Sequence, residues 1–129
     1  MKSTLITLAV IIVIVVVYIL INGMRLKKAV TTLTQEDFIK GYRKAQLIDL
    51  REAKDFEAGH ILGARNIPTT QLRQRHKEIR PDLPVYMYDQ NSGRSARAAL
   101  FLKKRGYHQL YMLDGGFGKW TGKIKYKNK

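Results

Sequence analysis

One stretch of the sequence, residues 85–106, constrains the fold of this chain more than any other. It opens with an apolar run of β-branched and aromatic residues at 85–88, which is typical of a buried strand. Asn91, Ser92 and Gly93 then favour a tight loop, and a helix is predicted from Ser95 as its N-cap to Gly106 as its stop. The N–H groups of such a junction suit an anion, although an ordinary strand-to-helix connection fits the same residues equally well.

The second constraint is a charge-free apolar run at residues 5–21. Its length lies at the lower end of the roughly 17–25 residues that span a bilayer. A secretory signal peptide is the rival interpretation, but such peptides have a shorter apolar region of about 7–15 residues and a small-residue cleavage site. Ile21-Asn22-Gly23 matches that site poorly. We therefore predict an uncleaved transmembrane helix within residues 1–24, with the lipid bilayer as the partner of residues 5–21.

The charges of the chain predict its orientation and its surroundings. Lys2 precedes the apolar run, whereas Arg25, Lys27 and Lys28 follow it, which favours a single-pass protein of the cell membrane with a cytoplasmic C-terminal domain. Residues 25–129 hold 23 of the 24 cations and all ten acids, a net charge of +13. Because no nucleic-acid motif accompanies this charge, an anionic membrane surface is the predicted partner rather than nucleic acid. Nonspecific adhesion through the basic surface remains an alternative.

The remainder of the chain is long enough for one compact domain. We divide it into a basic juxtamembrane linker at 25–30, a domain at 31–122 and a basic tail at 123–129. Within the domain we predict a helix capped by Thr34, a strand at 46–51, a helix at 70–80 and a strand at 110–113. Strands that alternate with helices indicate an α/β domain with a parallel sheet.

Three separated motifs carry a family resemblance over residues 31–120. They are Leu-Ile-Asp-Leu-Arg at 47–51, Gly-His-Ile-Leu-Gly-Ala at 59–64 with Ile-Pro at 67–68, and Leu-Asp-Gly-Gly at 113–116 with a tryptophan at 120. The chain resembles the rhodanese family, which implies a three-layer domain with a central parallel sheet flanked by helices. The resemblance also implies a set of supporting residues, in which we expect the histidine to be a structural hydrogen-bonding group and the tryptophan to belong to the core. The set is Asp49, Arg51, His60, Gly115, Gly116 and Trp120.

The resemblance places the family's nucleophilic cysteine at Asp89. Gln90 then replaces the arginine that usually follows, and Arg94-Ser95 corresponds to the closing pair of the loop. The chain contains no cysteine at all. The predicted active-site-like loop is Asp89, Gln90, Asn91, Ser92, Gly93, Arg94 and Ser95, with no catalytic residue, no metal and no cofactor.

The missing thiol decides the functional prediction. Sulfur transfer needs a polarisable thiolate, and a carboxylate forms no stable persulfide. We therefore expect Asp89 to fill the loop from within, accepting its N–H groups and using Arg94 as a countercharge. The predicted function is a non-catalytic binding or regulatory module with a protein partner that the sequence does not identify. The alternative is a sulfurtransferase that works with a thiol supplied by a partner.

Overall fold

A five-stranded parallel sheet forms the centre of the domain. The structure is a computed structural model that describes residues 1–126, with the backbone alone described for residues 25–29. The last three residues of the predicted tail and the side chains at 25–29 of the predicted linker therefore lie outside the described residues. The strands of the sheet lie in the order β1-β6-β5-β2-β4. Their bounds are β1 Thr31–Leu33, β2 Gln46–Asp49, β4 Arg65–Asn66, β5 Val85–Tyr88 and β6 Leu110–Leu113.

Helices cover both faces of this sheet, which gives the predicted three-layer architecture. The helices are α1 Lys2–Ala29, α2 Gln35–Gly41, α3 Ala53–Ala58, α4 Leu72–Arg75 and α5 Gly93–Lys103. Leu47 and Ile48 are neighbours on β2, yet they belong to different buried clusters, because successive side chains of a strand point to opposite faces. Ile48 packs with Leu102 of α5, whereas Leu47 packs with Phe38 of α2.

Helix α1 continues beyond the apolar run to Ala29, through most of the segment assigned as a linker. The part from Lys2 to Met24 is long and apolar enough to cross a membrane, by its length and composition. Val30 follows the helix directly and is buried in the same cluster as Ile48. The apolar helix is thus joined to the domain core without an intervening loop.

The predicted helix at residues 70–80 is wrong as a continuous element. The segment forms a 3₁₀ turn at Thr69–Gln71, the short helix α4 and a second 3₁₀ turn at His76–Glu78. The Tyr107 hydroxyl lies 2.7 Å from the carbonyl oxygens of both His76 and Ile79. This distant hydroxyl supplies one hydrogen-bond donor to the two carbonyls where the helix is interrupted, and no local sequence pattern predicts it.

Two smaller features also differ from the sequence prediction. The strand predicted at 46–51 ends at Asp49, because the Asp49 carboxylate accepts the Arg51 backbone N–H at 2.8 Å and turns the chain. In addition, β7 Ile124–Lys125 lies within the segment assigned as a tail and pairs antiparallel with β3 His60–Ile61. The helix capped by Thr34 is confirmed, since its side chain accepts the Asp37 N–H.

Candidate functional site

The loop that follows β5 is closed around the carboxylate of Asp89. This side chain is buried, with 3% of its surface exposed. The Arg94 backbone N–H donates to Asp89 Oδ2 at 3.0 Å, and the Ser95 hydroxyl donates to Oδ1 at 2.8 Å. Both carboxylate oxygens therefore have a donor from the loop itself.

The donors come from the first turn of α5, which begins at Gly93 rather than at the predicted cap Ser95. Ser92 holds the N-cap position, and its side chain forms no capping hydrogen bond. Ser95 is instead fully buried inside the first turn, where its hydroxyl faces Asp89. A carboxylate at this position is favoured by the unpaired N–H groups and the dipole of the helix N-terminus.

Arg94 contributes its backbone, and not its guanidinium, to this arrangement. Its side chain is exposed and, in the part of the chain that the structure describes, forms no ion pair with Asp89. The prediction that the Arg94 guanidinium is the countercharge of Asp89 is therefore wrong. Short backbone and hydroxyl contacts replace it as the stabilising interactions of the buried carboxylate.

The paired glycines of the third motif support the loop from the other side. The Phe117 N–H donates to the Asp89 carbonyl at 2.8 Å, and the Gly118 N–H donates to the Gln90 carbonyl at 3.0 Å. Gly116 has φ +64°, and a Cβ at this position would overlap the carbonyl oxygens of Asp89 and Asn91. Only glycine allows the two backbones to approach so closely.

A buried ion pair forms the floor beneath the loop. Arg51 Nη2 lies 2.9 Å from Asp49 Oδ2, and both side chains are at least 94% buried. Arg51 also donates to the Gly59 carbonyl at 2.6 Å and to Gln90 Oε1 at 3.3 Å, and its guanidinium lies 4.1 Å from the centre of the Phe117 ring. Arg51 is thus the residue that joins the first, second and third motifs to the loop.

The remaining supporting residues do not line the loop. The His60 ring stacks on Phe56 with ring centres 3.7 Å apart, and Nδ1 lies 2.7 Å from the Phe56 carbonyl oxygen. Trp120 is partly buried against the cluster that contains Phe38 and Tyr42, and it meets both rings edge-on. These contacts are the structural hydrogen bond and the core position that the sequence predicts for the two residues.

An open cleft of about 410 Å³ lies outside the loop. A second cleft of about 390 Å³ adjoins it and shares Arg94 and Arg97 of α5. Neither Arg97 nor Asp55 belongs to the site residues predicted from the sequence. Arg97 could have been found from its position three residues after Arg94, which places it on the same face of the helix. The first cleft is lined by Arg51, Asp55, Asp89, Gln90, Asn91, Gly93, Arg94 and Arg97.

Comparison with known proteins identifies the family. The sequence profile described as "Rhodanese-like domain" matches residues 34–123, well over half of the chain. The chain belongs to the rhodanese-like family.

Two proteins of Bacillus subtilis (strain 168) are similar in sequence. "Uncharacterized protein YqhL" is 57% identical over 112 residues, which cover 87% of this chain and 89% of that protein. "Putative sulfur carrier protein YrkF" is 31% identical over 79 residues, covering 61% of this chain and 43% of the relative. The similarity to the second therefore spans less than half of its length.

The solved structures agree on the fold. The crystal structure of a rhodanese-related protein from Thermoplasma volcanium superposes with a TM-score of 0.69 at 23% identity, covering 74% of this chain and 97% of that one. In this rhodanese-like chain the strand–loop–helix junction is preserved, whereas no cysteine is present to carry a sulfur atom. Asp89 offers two hard oxygen atoms in place of a thiolate, and both are already hydrogen-bonded.

Proposed function

We propose that this chain is a membrane-anchored, non-catalytic rhodanese-like module that binds a protein partner at the cleft beside residues 89–95. The observation that carries the proposal is the state of Asp89, whose oxygens take up the loop donors Arg94 N–H and Ser95 Oγ–H. An anionic substrate would find these donors occupied. It would also be repelled by the negative charge of Asp89, whose side chain is 3% exposed. Without a thiol, the loop has no group that accepts sulfur.

The cleft itself supplies groups suited to recognition. Arg94 and Arg97 are exposed one helical turn apart, while Arg51 is already paired with Asp49. Two exposed guanidinium groups on one helix suit a carboxylate or a short acidic segment of a partner, because each can donate in a bidentate manner. Asp55 on the facing wall would orient such a segment by repulsion.

The proposal includes the membrane anchor. Residues 2–21 of α1 are exposed around the whole helix, as a span surrounded by lipid requires. The cations that follow the span favour a domain on the cytoplasmic side. Anchoring confines the module to two dimensions, which raises its effective concentration toward partners at the same membrane.

Partner capture by the full chain in detergent tests the proposal. Arg94→Glu together with Arg97→Glu is expected to lower the recovery of the specific partner at least tenfold, whereas the matched pair Arg43→Glu and Lys44→Glu, remote from the cleft, is expected to retain it. Asp89→Asn keeps an acceptor for the loop and should also retain capture. Equal loss from both charge-reversed pairs would contradict recognition at the cleft and favour nonspecific adhesion through the basic surface.

A sulfurtransferase that borrows a thiol is the second candidate, and similarity to the relative named as a sulfur carrier favours it. In this case thiosulfate-to-cyanide sulfur transfer should be absent for the chain alone and should appear when a reduced thiol protein such as thioredoxin is added. If the chain is a non-catalytic module, the mixture should transfer no more sulfur than the thiol protein does by itself. The result therefore separates the two candidates.

A further inference from the structure

All five parallel strands begin at one edge of the sheet, and α1 joins the domain at this edge. We call it the strand-start edge: Val30 together with residues 42–45, 62–64, 76–84 and 103–109, which lead into β1, β2, β4, β5 and β6. The loop at 89–95 lies at the opposite edge, because it follows the last residue of β5. Helix α1 also contacts α5, whose C-terminal end belongs to the strand-start edge.

Cations outnumber acids at the strand-start edge. Its segments contain seven Lys and Arg residues and only two acids. Both acids are paired, Glu78 with Arg75 at 2.8 Å and Asp82 with Arg80 at 2.6 Å. The seven cations are Arg43, Lys44, Lys77, Arg80, Lys103, Lys104 and Arg105, and all of them are exposed.

Apolar side chains accompany these cations. Leu62 and Leu83 are 39% and 38% exposed, which is unusual for leucine in a domain whose other leucines are mostly buried. Leu62 lines a surface hollow together with Arg43, and the Leu83 carbonyl lies 3.5 Å from the Gln46 amide at the start of β2. Exposed leucines surrounded by cations are typical of a protein surface that lies in a membrane interface.

The path of α1 brings this edge close to a bilayer. Residues 2–21 are exposed on every side, and Asn22 and Gly23 are the first partly buried residues after them. The candidate span ends at Met24, and Val30 is already buried in the core. The six steps from Met24 to Val30 rise only about 9 Å, which is close to the Debye length of about 8 Å at physiological salt.

We propose that the strand-start edge docks on the anionic phospholipid surface of the leaflet from which α1 emerges. This inference rests on the proposed membrane anchor and adds the face of the domain that meets the lipid. Because β5 is four residues long, the loop that follows it stands about 13 Å farther from the bilayer than the start of this strand, if the strand points away from the lipid. The cleft beside Asp89 then faces the aqueous phase, where a soluble partner reaches it.

The test uses the full chain reconstituted in vesicles, and the absence of cysteine makes single labels simple to place. A nitroxide is attached at Gln109→Cys on the strand-start edge or at Glu36→Cys on the opposite edge, both exposed positions. Contact with lipid-dissolved oxygen is compared in phosphatidylcholine and in an equimolar mixture with phosphatidylglycerol. The proposal expects contact at residue 109 to rise with phosphatidylglycerol and fall with salt, while contact at residue 36 stays low in both lipids.

Charge reversal then tests the face. Lys44→Glu with Lys104→Glu should weaken docking at least about fivefold for each cation lost, and the matched pair Lys54→Glu with Arg73→Glu, elsewhere on the domain, should have little effect. Equal effects of the two pairs would contradict docking through the strand-start edge. So would contact at residue 109 that does not depend on lipid charge. This second comparison uses the native charges and therefore remains informative even if the charge-reversed variants fold poorly. Release of the chain from vesicles by alkaline extraction would instead contradict the anchor.

Discussion

The Phe117 backbone N–H donates a 2.8 Å hydrogen bond to the carbonyl of Asp89, the residue that the family resemblance aligns with the nucleophile. This bond joins two segments that are distant in sequence, the loop after β5 and the glycine turn after β6. The same turn donates from Gly118 to Gln90 at 3.0 Å. The backbone of the loop is therefore fixed from outside, while its interior is fixed by the Asp89 carboxylate.

Replacement of Gly116 by alanine is expected to lower the free energy of unfolding by about 3 kcal/mol or more, since its φ of +64° and ψ of −163° are strained for any other residue and a Cβ would overlap two carbonyls. The measurement is chemical denaturation of the full chain in detergent, followed by Trp120 fluorescence. Gly93→Ala is the control: it has open space in the first turn of α5, and we expect it to be neutral or to stabilise by about 0.5–1 kcal/mol. A Gly116→Ala variant as stable as this control would contradict the close approach of the two segments.

Ser95→Ala removes one of the two donors of the Asp89 carboxylate and leaves a buried oxygen without a partner. The expected loss is about 1–3 kcal/mol of unfolding free energy. Ser92→Ala should change the same quantity by less than about 0.5 kcal/mol, because the Ser92 side chain forms no capping hydrogen bond. Indistinguishable denaturation midpoints for the two variants would rule out the bond between Ser95 and Asp89.

The buried hydroxyl of Tyr88 makes stability depend on alkaline pH. Burial, and then the neighbouring charge of Asp49, raise the pKa of Tyr88 well above its usual value, and burial acts in the same direction on the pKa of Tyr107. The folded domain therefore retains a proton that the unfolded chain releases above about pH 10. The resulting contribution to the free energy of unfolding is fully present below about pH 10. It decreases as the pH rises further, by up to about 1.4 kcal/mol per pH unit for Tyr88.

Denaturation series between neutral pH and pH 11 measure this dependence. Tyr88→Phe should be less stable at neutral pH, because the Ile61 N–H loses its acceptor at 3.0 Å, and its stability should fall less steeply above about pH 10. Tyr126→Phe, at a side chain that is 58% exposed, is the matched variant expected to keep the native slope. An unchanged slope for Tyr88→Phe would contradict the role of its hydroxyl.

The elements that sequence patterns predicted correctly are those that local residues determine. Strands β5 and β6 are short apolar runs, and the helix after Thr34 has its cap and its buried Phe38 within four residues. The segment at 70–80, where the helix is interrupted, is instead contacted by Tyr107, which lies about thirty residues away in the chain. Periodicity within a window cannot contain such a contact.

The candidate site divides in the same way. The motifs located Asp89 and the two glycines, because close backbone approach and the family pattern demand those residue types. They did not reveal that Arg51 reaches Gln90, or that Ser95 donates to Asp89 from inside α5. The start of α5 at Gly93, with Ser92 as its cap, moves Ser95 from a cap to the interior of the first turn, and this three-residue shift changes the role of its hydroxyl.

We propose that the loop keeps a rhodanese-like backbone but lacks the nucleophilic cysteine, and that the chain therefore performs no sulfur transfer alone. The most direct measurement is thiosulfate-to-cyanide sulfur transfer by the full chain in detergent, with Asp89→Cys assayed beside it. We predict no turnover by the native chain and measurable turnover by the cysteine variant, whose thiolate would receive the N–H groups now bound to the carboxylate. Turnover by the native chain would contradict the account.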